Sequence, residues 1–352
     1  MFTCSFQRCA PALALLLLLA SPALQAQTAP QAVILQYHHV STQTPASTSI
    51  SPDAFRAQIN YLKDNGFTVL PLEQVVSALR TGSELPDRTA VISFDDGYFS
   101  VYETAFPILR ELDFPFTIFI AADLIGSNPG LYSSWEQLRT MAAAGATLAN
   151  HTMTHPYLMD RLEAENDADW LARIRSEIVG AEARIKQETG QSHQLFAYPY
   201  GEYDPQLQQL IRDLGYVGIG QHSGPINAAS DFTALPRFPF SGIYASMNTY
   251  KVKVQSLAFN VAVTNPDSDI TDERSPSAEL DFDGSYRLDS LNCFNNDQPM
   301  KVVVLDAAAQ RYRVETTVEN HSRRFRYNCT APGHEGRFYW YSIPWLNPAV
   351  AE

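Results

Sequence analysis

The sequence predicts an α/β fold, a distorted (β/α)7 barrel followed by a small C-terminal β-sandwich. Three observations carry that prediction. Short apolar strands alternate with segments of helical period between residues 32 and 240. A parallel sheet of that many strands favours closure into a barrel. After about Tyr250 the helical period stops and strand-like runs follow one another.

The elements follow in order. "AVILQYHHV" reads as the first strand. Ser51 caps a helix with Pro52 at its first position, running through "FRAQINYLKDN" to Gly66. "FTVLP" is the second strand and "LEQVVSALRTG" the next helix. "TAVISF" precedes a helix around "YETAFPILREL", and "PFTIFIAADLIG" is a strand and loop. "SSWEQLRTMAAAG" is a capped helix leading to the strand "ATLANH". Helical spacing with many charge pairs runs from Glu163 to Thr189 and stops at Gly190. "QLFAYPYG", the helix "DPQLQQLIRDLG" and "YVGIGQ" complete seven strands. Beyond them, "KVQSLAFNVAV", "SYRLDSL", "KVVVLDA", "RYRVETTV", "RFRYNC" and "RFYWYSI" read as sandwich strands, interrupted by the polar loop "TNPDSDITDERSPS". The expected domains are a barrel over 30–245 and a β-sandwich over 250–352.

The N-terminus reads as a signal peptide over residues 1–26. It has a lone Arg8, the run "ALALLLLLA", too short to span a bilayer, and the small residues "SPALQA" before a cut after Ala26. The protein is therefore expected in the periplasm or outside the cell, with no transmembrane span after processing. Cys4 and Cys9 leave with that segment, so Cys293 and Cys329 form an even pair in an oxidising compartment. One disulfide between them would contribute about 3–4 kcal/mol in the chain-entropy account. A formal net charge of −13 without a basic cluster argues against nucleic acid and anionic lipid as partners.

Parallel α/β barrels place their chemistry at the C-terminal strand ends. Those ends supply His38 and His39, Asp95 and Asp96, His151 and His155 in "NHTMTH", the turn "AYPYG", and Gln221 with His222. Two imidazoles four residues apart and one carboxylate suit a divalent metal, zinc first, with cobalt or nickel able to share the site. Neighbours on an extended strand point opposite ways, so one aspartate is expected to hold the ion while the other takes a proton from the attacking water. Trp135 either stacks on a sugar ring or packs as core or staple, and the aromatic run "RFYWYSIPWL" poses the same choice. His193, His321 and His334 read as surface residues.

"SFDDGY", "HTMTH" and "YPYGEYD", in this order over roughly residues 30–240, resemble the NodB-type polysaccharide deacetylases, carbohydrate esterase family four. The resemblance implies Asp95 as general base and Asp96, His151 and His155 as metal ligands. It also implies that the Tyr200 N–H holds the oxyanion, with Pro199 beside it against the substrate. Many members of the family carry an arginine where this chain has Ala197, and Arg237 in "LPRFPF" is the candidate substitute. The family's leucine-x-histidine motif, which carries the general acid, has no evident counterpart. "QYHHV" instead resembles the circularly permuted branch that includes poly-N-acetylglucosamine deacetylases, which implies His38 as the acid, with His222 as the rival. His39 is expected to point away. The expected activity is metal-dependent removal of N-acetyl groups from N-acetylglucosamine-type glycans. Its alternatives are a non-catalytic polysaccharide-binding protein and a glycosidase using Asp95 with another carboxylate.

Overall fold

The structure, a computed structural model, describes residues 1–3 and 29–351. Beyond its first three residues, the expected signal peptide lies outside the described residues, with Cys4 and Cys9. Among the described residues no helix is long and apolar enough to cross a membrane.

Six parallel strands form the barrel wall: β1 (Gln31–Tyr37), β2 (Thr89–Phe94), β3 (Thr117–Ile120), β4 (Thr147–Asn150), β5 (Leu195–Ala197) and β6 (Val217–Ile219). They neighbour one another in chain order, and β7 (Pro225–Asn227) lies antiparallel on the first half of β1. The expected strand "FTVLP" is not a stave of this wall. Only Thr68–Val69 pairs, with the start of β2. β3 takes the far end of that same edge, at Ser93 and Phe94, and Pro71 turns the chain directly into the next helix. The gap between β6 and β1 is bridged instead by an irregular segment. Leu235 pairs with Ile219, and Phe238–Pro239 runs parallel to Leu35–Gln36.

The helices α1 (Pro52–Asp64), α2 (Leu72–Thr81), α3 (Trp135–Ala143), α4 (Asp167–Thr189) and α5 (Pro205–Asp213) connect the strands. Their starts are set locally. Ser51 accepts from the Ala54 N–H, Ser134 and Gln137 form a reciprocal capping box, and Asp204 accepts from Leu207. The pleat of β1 divides the core. Val33, Leu35 and Tyr37 pack outward with Phe55 and Ile59 of α1. Ala32 and Ile34 face the other way with Val91, Phe119, Ala149 and Ala197, a set that α2 covers with Leu72, Val75 and Leu79.

The second domain opens with a helix where alternating Lys and Val suggest a strand. Ser246 caps α6 (Met247–Val254), which buries Tyr250 and Val254, one turn apart, in the barrel core. Two sheets follow. One is four-stranded and antiparallel, built from β8 (Val261–Asn265), β9 (Ala278–Phe282), β11 (Lys301–Asp306) and β12 (Arg311–Glu315), in the order β8-β9-β12-β11. The other centres on β10 (Asn292–Asn295), β13 (Arg324–Pro332) and β14 (Phe338–Leu346). Leu280, Phe282 and Val314 of the first sheet pack with Tyr327, Cys329 and Trp345 of the second. The expected strand "SYRLDSL" is a loop with a 3-10 turn at Leu288–Ser290. Cys293 and Cys329 face each other across β10 and β13 and form the expected disulfide.

Candidate active site

A cleft of about 540 Å³ opens over the C-terminal ends of the barrel strands. Its floor is built by three short turns held in backbone conformations that side chains disfavour. Asp96, Thr152, His155 and Tyr200 have φ of 71°, 71°, 60° and 58°. Left-handed backbone costs a non-glycine residue roughly 1–2 kcal/mol, and such positions gather at functional sites.

The first turn follows β2. The Asp95 N–H still bonds to the Tyr37 carbonyl, but Asp96 and Gly97 turn left-handed. Glycine suits that second left-handed position, at φ 71°, where a Cβ would also lie 2.7 Å from the tip of the Ile125 side chain. The two carboxylates therefore diverge through the turn at Asp96, not through the strand alternation expected from the sequence.

Asp96 lies with the two histidines. Its Oδ1 is 3.4 Å from His151 Nε2 and 3.2 Å from His155 Nε2, and the three candidate donor atoms fall within 4.8 Å of one another. His151 Nδ1 sits 2.7 Å from the Ala197 carbonyl, which fixes the proton on Nδ1 and leaves the Nε2 lone pair facing Asp96. Both His151 Nε2 and Asp96 Oδ1 are buried without a hydrogen-bond partner. Two orphaned lone pairs and a third imidazole converging on one point fit a divalent cation. The "HTMTH" segment is a loop, not a helical turn. Thr152 Oγ1 accepts from the His155 N–H, and Glu177 of α4 clamps the Met153 and Thr154 N–H groups.

Asp95 has different company. Arg237 grips it with both ends of its guanidinium, Nη1–Oδ1 at 2.7 Å and Nη2–Oδ2 at 2.8 Å, and both side chains are fully buried. Arg237 Nε donates to the Gly220 carbonyl, and Gln36 Nε2 donates to Asp95 Oδ2 at 2.7 Å. Burial alone would raise the Asp95 carboxyl. The charges of Arg237, His151 and His38 override it and hold the group below the usual carboxylate range. His38 lies at the cleft edge with Nε2 3.8 Å from Asp95 Oδ2.

The rival acid has another environment. Burial, assisted by Arg326 and Arg237, lowers His222 to about 4, so its imidazole is neutral at neutral pH. His39 is buried and stacked on Tyr98 with centroids 3.5 Å apart. Tyr200 lines the cleft and stacks flat on Tyr157 at 3.9 Å. Pro199 is buried beneath that turn and does not line the cleft. Trp135 is away from the cleft as well. The cap at Ser134 directs its ring, half-buried, onto the outer barrel core, with Arg184 over it. His193 and His321 lie outside the site beside Glu73 and Glu319.

Gln36 was not singled out from the sequence, although its signal is visible: one amide inside the apolar run "AVILQY". A buried amide has to find a partner, and here it is the base candidate.

Residues 82–219 match the family model described as Polysaccharide deacetylase. That span holds Asp95, Asp96, His151, His155 and Tyr200. Over that span the chain is similar to the polysaccharide deacetylases. It is 24% identical over 242 residues to the poly-β-1,6-N-acetyl-D-glucosamine N-deacetylase of Escherichia coli K12, an alignment covering 58% of this chain and 36% of that protein. The chain thus spans about a third of that relative's length. The enzyme of the same name from Staphylococcus aureus MRSA252 is 27% identical over 214 residues, 58% of this chain and 72% of that one. Among solved structures, Streptococcus pyogenes deacetylase PplD in complex with acetate superposes with a TM-score of 0.57 at 23% identity, over 64% of this chain and 98% of that one. IcaB from Ammonifex degensii gives 0.56 at 24%, over 64% and 98%. These likenesses establish the barrel fold. His38, Gln36 and Arg237 all lie outside the span that matches the family model.

One cleft residue yields a stability test. Asp269, from the loop before β9, is half-buried, and burial, with Asp204 adding to it, raises its carboxyl to about 7. Tyr203, Tyr341 and Tyr198 also face it. A raised carboxyl destabilises the fold once it ionises. The cost is absent below the unfolded value near 4, grows to about pH 7 and is constant above. Asp269→Asn is therefore expected to raise stability at pH 8 by on the order of 2 kcal/mol, discounted for partial exposure, and to leave it unchanged at pH 4. Denaturant titrations at both values check this.

Proposed function

We propose that this chain is an exported, metal-dependent N-deacetylase of N-acetylglucosamine-containing polysaccharide, acting in the periplasm or outside the cell. The carrying observation is the pair of neighbouring aspartates with separate partners: Asp96 facing two imidazoles, Asp95 clamped by a buried arginine. A divalent cation bound by Asp96, His151 and His155, zinc in our reading, would supply Lewis-acid polarisation of the acetamide carbonyl and the attacking water.

The chain's own groups do the rest. Asp95, kept ionised by Arg237, accepts the proton of the attacking water. Gln36 and Arg237 fix the orientation of its oxygens. The Tyr200 N–H, set by the left-handed turn, donates to the oxygen of the tetrahedral intermediate. His38 protonates the departing amine. His222 is unsuited to that role, because a group lowered to about 4 is almost wholly deprotonated at neutral pH. Acetate and a glucosamine unit are the products. The names of the relatives from Escherichia coli and Staphylococcus aureus support poly-β-1,6-N-acetylglucosamine as the first substrate to try.

The test is acetate release from N-acetylglucosamine oligomers by the mature protein. Activity is expected with added zinc, to vanish with chelator and to return on adding metal back. Reducing ends released without acetate would instead indicate a glycosidase and overturn the reading.

A further inference from the structure

The β-sandwich forms part of the cleft. Arg324, Phe325 and Arg326 of β13 and Trp345 of β14 line it alongside the barrel residues. Within this wall the charges do not balance. The Arg326 guanidinium carbon lies 5.5 Å from the centroid of the Tyr244 ring. Lys253 of α6 places its ammonium 5.0 Å from the same centroid. Lys253 is otherwise enclosed by Phe238 and Phe240, at 5.8 and 5.4 Å.

Two cations thus share one aromatic ring, and among the described residues no carboxylate acts on either. Burial and the charge of Arg326 push the Lys253 ammonium down to about 8. The carboxyls of the cleft have other roles. Asp96 faces the two imidazoles, and Glu202 is held by Arg323 and Arg324. Asp269 is not a fixed counter-charge, since it titrates near 7. In a chain of net charge −13, a partly buried cation pair without a counter-ion stands out against the composition. Like charges held together and desolvated cost free energy unless an anion joins them.

We propose that Arg326, seconded by Lys253 across the Tyr244 ring, forms a subsite on the β-sandwich wall that binds a carboxylate carried by a sugar next to the one being deacetylated. This rests on the deacetylase reading above and extends it to the polymer: the glycan has acidic substituents. A guanidinium offers a planar, bidentate fork to a carboxylate, and the adjacent ammonium adds a second positive charge. Two common sources of that carboxylate are a uronic acid and a lactyl ether on the sugar ring.

The experiment compares acetate release from three tetrasaccharides by the metal-loaded protein. One is neutral, of N-acetylglucosamine alone. One alternates N-acetylglucosamine with glucuronate, and one alternates it with N-acetylmuramic acid. We expect one acidic tetrasaccharide to exceed the neutral one in kcat/KM by about tenfold, which also names the source of the carboxylate. That ratio is expected to fall to near one in Arg326→Gln and to be kept only in part in Arg326→Lys, which retains the charge without the bidentate fork. Added salt should raise KM for the acidic substrate and not for the neutral one, a measurement on the unaltered protein that stands even where a variant fails to fold. Equal use of all three substrates overturns the proposal, as does an Arg326→Gln variant that lowers all three by one factor. Absence of acetate from every substrate overturns the deacetylase reading instead. Calorimetry with the same tetrasaccharides then decides the subsite: acidic-sugar binding that is lost in Arg326→Gln upholds it, and equal or absent binding overturns it.

Discussion

Asp95→Asn is expected to reduce acetate release by roughly a hundred- to ten-thousandfold, the usual contribution of a positioned general base. Metal content should stay near that of the unaltered protein. Asp96, His151 and His155 keep their converging lone pairs, and Asp95 touches none of the three atoms that meet there. The substitution also leaves the Arg237 guanidinium buried without its carboxylate, so a loss of stability of about 3–5 kcal/mol accompanies the loss of activity. Metal analysis of the folded variant separates the two effects. Loss of metal together with activity would move Asp95 into the ligand set and refute its assignment as base.

Arg237→Met has the second largest expected effect and runs through the same pair from the other side. Arg237 is fully buried, donates to both oxygens of Asp95 and bonds to the Gly220 carbonyl. Removing it strands an ionised carboxylate in a dry site, at about 3–5 kcal/mol. Activity should fall even in the folded fraction, because the oxygens of the base lose the grip that aims them. The double variant Asp95→Asn with Arg237→Met is expected to recover much of the stability lost by either single change and none of the activity. Additive stability losses in that cycle would mean that the two side chains do not act as a pair.

That pairing marks how far local pattern reaches. Much of the site was legible in the chain: the adjacent aspartates after "AVISF", the histidines four apart after "ATLAN", and the "YPYG" turn all sit at strand ends, as the βα alternation requires. The candidate arginine was legible only as a substitute for the one missing at Ala197. Its partner Asp95 is 142 residues away, and no local period links the two. The same limit applies to "FTVLP", which has strand composition but finds its edge of β2 already shared with β3. The barrel gap is closed by Leu235–Phe240 instead, a segment broken by Pro236 and Pro239 with no periodic signal at all.

The chain's own pattern was enough for the fold class, the order of most elements and the aspartates and histidines of the floor, because each is written in spacing, capping or residue type within a few positions, and the count of cysteines was enough for the disulfide partners. Folding in three dimensions decided what each carboxylate does. It brought Arg237 and Gln36 to Asp95, turned Asp96 left-handed toward the imidazoles of His151 and His155, buried Pro199 and turned Trp135 onto the outer core. It also carried Arg326 from the β-sandwich to the cleft. The reason is physical: a buried charge or amide is satisfied by whatever the packing brings within 3 Å or so, and the chain reaches that distance only after long-range contacts have formed.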